Sequence, residues 1–114
     1  MKALIFDTET TGFIHTTKPA LHPAQPHMVQ LGAALLDMDT GEVGETINKI
    51  VRPTDWHIPA NLAAIHGITT ERAREEGATG FGIIAQFFDL TLKTDVLVGH
   101  TVVFDKNMLG GRVC

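Results

Sequence analysis

Ala3-Leu4-Ile5-Phe6 is an unbroken apolar run that stops on Asp7-Thr8-Glu9. No other stretch limits the fold so tightly. A short run of this kind, bounded by acidic and turn residues, is the pattern of a strand covered on both faces, as in the sheet of an α/β domain. Its carboxyl end then opens into a polar turn at Thr10-Thr11-Gly12. The two carboxylates are two residues apart, so they leave the same face of the strand, with Cα atoms about 6 to 7 Å apart.

The rest of the chain supplies partners for such a strand. Phe13 to His27 carries Pro19, Pro23 and Pro26 without periodicity and reads as a surface loop. Met28 to Leu36 and Glu42 to Val51 are apolar segments joined by Asp37-Met38-Asp39-Thr40-Gly41, whose turn chemistry predicts an antiparallel hairpin. Pro59 can open a short helix through Ile65, and Thr69 or Thr70 can cap a second that ends at Gly77. Phe81, Ile84, Ala85, Phe88 and Leu92 recur at helical spacing and predict the buried stripe of an amphipathic helix. Val96-Leu97-Val98 follows as a short strand reached by a crossover, so it should run parallel to the first, and Thr101 to Leu109 reads as a further helix.

The expected architecture is therefore one α/β domain over residues 1–114: a mixed sheet with an antiparallel hairpin and flanking helices. Its formal net charge of −4 argues against a protein that holds long nucleic acid by phosphate neutralisation alone. Gripping a chain end remains open to it, because bound divalent cations reverse the sign of an acidic pocket. Cys114 is the single cysteine, which excludes an internal disulfide. No apolar run reaches the roughly 18 residues of a membrane span, and the N-terminus shows no signal-peptide pattern, so a cytoplasmic location without membrane partners is expected.

Two constellations can carry chemistry. Asp7 and Glu9 could clamp a hard cation, and oxygen-only ligation favours Mg or Mn over zinc. Alone, the pair fits a solvated loop entrance equally well. In Val98-Gly99-His100-Thr101-Val102-Val103-Phe104-Asp105, a strand leads into a helix bearing a third carboxylate about one turn in. Parallel sheets gather ligands at the carboxyl ends of their strands, and both constellations occupy that edge if the strands are neighbours. His15, His22 and His27 lack ligand spacing and read as exposed loop residues.

Ile5-Phe6-Asp7-Thr8-Glu9-Thr10-Thr11-Gly12 and Val98 to Asp105 together resemble the first two motifs of the DEDD, or DnaQ-like, 3'-5' exonucleases, a family with a ribonuclease H-like fold that includes the proofreading subunit of bacterial DNA polymerase III. Ile65-His66-Gly67-Ile68-Thr69 resembles the segment linking sheet to helices in its proofreading branch. The resemblance implies that Asp7, Glu9 and Asp105 are catalytic metal ligands, for two Mg or Mn ions in the complete family. It implies that Thr8, Thr10, Thr11 and Gly12 receive the terminal nucleotide of a single-stranded 3' end. His66, His100 and Thr101 would lie beside the substrate strand, although His66 and His100 could equally serve the fold. Many relatives have Asn where Thr101 stands, and an acidic residue where Gln30 stands.

Relatives continue to a third motif with a histidine general base and a fourth aspartate, whereas Lys106 to Cys114 contains neither residue type. The expected domain is C-terminally truncated and weak or inactive by itself. The exposed sheet edge would invite self-association, and a polymerase or replication partner is the other expectation. Two rivals stand beside this reading. A phosphatase with an aspartate nucleophile would match Phe6-Asp7-Thr8 but would need a second aspartate where Glu9 stands. A non-catalytic exonuclease-like module that binds nucleic acid or a polymerase-type partner would need no third motif.

Overall fold

A computed structural model describes residues 1–12, 17 and 26–99. The elements run β1 (Lys2–Thr10), β2 (Met28–Asp37), β3 (Val43–Ile50), α1 (Ala60–His66), α2 (Thr70–Glu76), α3 (Gly80–Thr91) and β4 (Val96–Gly99). The strands form one mixed sheet in the order β3-β2-β1-β4. β1 pairs antiparallel with β2 and parallel with β4, so it is interior to the sheet; the cover expected on both of its faces is found on one, whereas Ile5 on the other is 41% exposed among the described residues. The predicted helix at 101–109 lies outside the described residues.

Local chemistry explains the element ends. In the hairpin turn, Asp37 Oδ1 accepts from the amides of Asp39 (2.9 Å) and Thr40 (3.3 Å), and Gly41 takes a left-handed φ of 78°. Those two amides hold the Asp37 carboxyl below the ordinary carboxylate range. Thr69 caps α2 by accepting from the Arg72 amide, and Thr79 caps α3 by accepting from that of Gly82. Gly67 ends α1 in the left-handed conformation. Asp95 fixes the register of β4: its carboxylate accepts from the Lys2 amide, and its own amide donates to the Lys2 carbonyl, both at 2.8 Å.

The main core lies on one face of the sheet. Leu4 and Phe6 of β1, Leu31 and Ala33 of β2 and Ile47 of β3 pack against Ile83, Ile84, Phe87 and Leu90 of α3. Phe6 and Phe87 meet edge to face, with centroids 5.1 Å apart. A second cluster joins Val29 to Ile58, Ile68 and Ala73 and seats α1 and α2 near the start of β2.

The buried stripe of α3 therefore differs from the predicted one. Ile84 belongs to both, but Phe81 is 72% exposed, Phe88 42% and Leu92 86%, and Ala85 is also exposed. Nearly every position from Phe81 to Leu92 is apolar or small, so two helical stripes satisfy the same spacing. Packing against Phe6 selects the phase containing Phe87, and the helix ends at Thr91, before Leu92.

Candidate active site

Along β1 the side chains alternate. Leu4 and Phe6 point into the α3 core, while Ile5, Asp7 and Glu9 are exposed on the opposite face. The pairing Asp7↔Gly32 and Glu9↔Gln30 sets both carboxylates on one face, and a register shift follows directly after Glu9. Asp7 Oδ1 accepts from the Thr8 amide at 2.9 Å. Among the described residues neither Asp7 nor Glu9 forms an ion pair. Two exposed carboxylates on one face, without a cationic side chain beside them, offer the oxygen donors that a hard cation takes. Oxygen donors, solvent access and a shared face fit Mg or Mn. Among the described residues no group of three potential ligands comes together, and Asp105 lies outside them.

Beyond Glu9 the strand leaves its ladder and turns. Thr10 Oγ1 donates to the Gly12 carbonyl at 2.7 Å. The Thr11 amide donates to the His27 carbonyl at 2.9 Å, and the Thr11 hydroxyl accepts from the His27 amide at 2.8 Å. The two threonine hydroxyls thus order the turn itself. Among the described residues nothing stands within 4 Å of where a Gly12 side chain would begin.

The second motif begins at the same edge. Phe6 of β1 pairs with Gly99 of β4, so the chain leaves β4 alongside Asp7. His100, Thr101, Phe104 and Asp105 lie outside the described residues. His66 ends α1, and its Nδ1 accepts from the Ile68 amide at 3.2 Å. In the neutral ring this makes Nε2 the protonated nitrogen, and that atom is buried without a partner among the described residues.

Two features escaped the sequence reading. His27 is half-buried rather than a free loop residue, and its ring stacks on Trp56 with centroids 4.6 Å apart. Gln30, beside Glu9, donates through Nε2 to Asn48 Oδ1 at 3.0 Å, which gives the substitution of an acidic residue a local role. Neither residue type carries a local sequence signal for such a contact, because each partner lies more than 15 positions away.

The model of the family described as Exonuclease matches residues 4–111. The chain belongs to this exonuclease family. Solved structures agree with the DnaQ-like, ribonuclease H-like fold. E. coli Exonuclease I in complex with a dT13 oligonucleotide superposes with a TM-score of 0.73 at 28% identity, covering 95% of this chain and 22% of that one. A structure described as the ExoI/SSB-Ct complex gives the same score, identity and coverage. A third Exonuclease I structure, described as suggesting how processivity is achieved, gives 0.74 at 27% identity, again with 95% and 22% covered. The chain thus spans less than a quarter of the length of these Exonuclease I structures. Comparison with curated proteins finds no significant match.

Proposed function

We propose that this chain carries the front part of a metal-dependent 3'-5' exonuclease that releases nucleoside 5'-monophosphates from single-stranded ends. The observation that carries the reading is the parallel pairing of β4 with β1, which starts the second motif beside the exposed Asp7–Glu9 face. On this reading Asp7, Glu9 and Asp105 hold two Mg or Mn ions. Held by these residues, such ions would supply Lewis-acid chemistry: activation of the attacking water and charge stabilisation at the phosphodiester. Thr8 and the Thr10–Gly12 turn receive the terminal nucleotide, and His66, His100 and Thr101 flank the strand.

Neither His nor Asp follows Asp105 within the 114 residues. A positioned general base contributes about 10²- to 10⁴-fold, so the stretch alone should be slow or inactive. The alternative reading is a non-catalytic module that binds a strand or a replication-type partner. No helix among the described residues is long and apolar enough to cross a membrane, and the proposed work is cytoplasmic.

The test is shortening of 5'-labelled single-stranded DNA under protein excess with Mn, where slow release still registers. A ladder receding from the 3' end, abolished by chelation and by Asp7→Asn, supports the exonuclease. Recession from the 5' end, or cleavage indifferent to Asp7→Asn, overturns it. Binding without any release selects the non-catalytic reading, and steady multiple turnover overturns the attenuation.

A further inference from the structure

On the α3 side of the turn that follows Glu9 lies a surface pocket of about 210 Å³, whose walls include His27, Arg52, Thr54, Trp56, Phe81 and Ile84. It is smaller than the roughly 300 to 1,000 Å³ typical of drug-sized ligands, and suits a single planar ring system. We infer that it receives a nucleobase of the strand whose end the carboxylates hold, an inference that rests on the proposed nuclease reading.

The walls have the chemistry of base stacking. His27 and Trp56 stack nearly parallel, with an interplanar angle of 4°, and both contribute to the lining. Phe81, in the first turn of α3, is exposed although its neighbours Ile83 and Ile84 are buried. An exposed phenyl ring beside a stacked pair is a sequence-tolerant platform, because every base offers a π-face. Arg52 adds a cationic group held in place: its Nη2 donates to the Gly77 carbonyl at 2.9 Å. Arginine in such a place can meet a phosphate or stack on a base. The Thr54 hydroxyl donates to Asp55 at 3.1 Å, so the rim also carries one acid.

Continuity with the active-site turn identifies the occupant. His27 is joined to Thr11 by two backbone-anchored hydrogen bonds, and Thr11 stands two residues beyond Glu9. The carboxylates face away from α3 and the pocket faces it, so a strand that reaches both must cross the sheet end at the Thr10–Gly12 turn, to which His27 is bonded. A base held here would fix the strand without reading its sequence.

Trp56 is the only tryptophan in the chain, so its fluorescence reports on this pocket alone. A 5'-labelled oligo-dT is titrated with Ca in place of Mg, and label anisotropy and Trp56 emission are followed together. Both signals should saturate in parallel. Phe81→Ala, at an exposed position, should weaken the emission-detected Kd by about tenfold. An otherwise identical abasic oligonucleotide should raise anisotropy but leave Trp56 unchanged. Rising anisotropy with silent emission would overturn the pocket and leave the nuclease reading intact; silence in both would overturn both. An equal response to the abasic strand, or to protein concentration or an apolar peptide without DNA, would assign the pocket to another occupant and overturn the inference. An unchanged Kd in Phe81→Ala would also do so.

Discussion

Truncating Phe87 and Phe88 separately measures which face of α3 supports β1. Phe87 is buried to 3% exposure and meets Phe6 edge to face, whereas Phe88 is 42% exposed. Phe87→Ala should cost about 3 to 5 kcal/mol in lost transfer energy and cavity formation. Phe88→Ala, with much of its ring already in water, should cost about 1 to 2 kcal/mol. Against a total stability of about 6 to 17 kcal/mol for a chain of this length, the first loss is severe and the second tolerable. In urea the Phe87→Ala midpoint should fall by about 2 M, with a slope near that of the parent. A double-mutant cycle with Phe6→Leu should return a coupling of about 0.5 to 1.5 kcal/mol between the two rings. Because Phe6 immediately precedes Asp7, Phe87→Ala should also slow any strand shortening at temperatures where the variant is still folded. Equal losses from the two variants, or a larger loss from Phe88→Ala, would refute the packing of α3 against β1.

Thr11→Val removes the acceptor of the His27 amide at 2.8 Å and should cost about 1 kcal/mol in thermal unfolding, together with a shift in Trp56 emission as His27 loosens. Unchanged emission would detach the turn from the stack. The Asp37 carboxyl is held below the ordinary range by two amides, so its contribution to the hairpin is present above about pH 3.9, the unfolded value, and is lost as pH falls through the lower folded value. The Asp39 and Thr40 amide resonances should follow that titration, and Asp37→Asn should flatten it. The exposed Ile5, Val96 and Val98 share the face opposite α3, and the outer edge of β4 has no partner among the described residues. Self-association should therefore appear as a concentration-dependent elution volume that Val98→Lys reduces.

The sequence made the sheet legible because its signals there were local. Residues 3–6 marked an interior strand, Asp37 to Gly41 carried a complete turn, and Pro59 and Thr69 marked the starts of α1 and α2. The phase of α3 was not legible, since Phe81 and Phe88 satisfy the helical period as well as Ile83 and Phe87 do, and only Phe6 breaks the tie. In the site, the shared face of Asp7 and Glu9 followed from strand geometry. The bonds from Thr11 to His27 and from Gln30 to Asn48 join distant positions whose residue types are unremarkable singly, so they needed the folded chain to be seen.

On the proposed reading, the carboxylates on the exposed face of β1 hold divalent cations. Titrating Mn into the protein and reading the free ion by electron paramagnetic resonance tests it without any need for turnover. Saturable loss of the free-ion signal is expected, competed by Mg and largely abolished in the Asp7→Asn, Glu9→Gln double variant. Equal Mn uptake by the parent and by a folded double variant would contradict it.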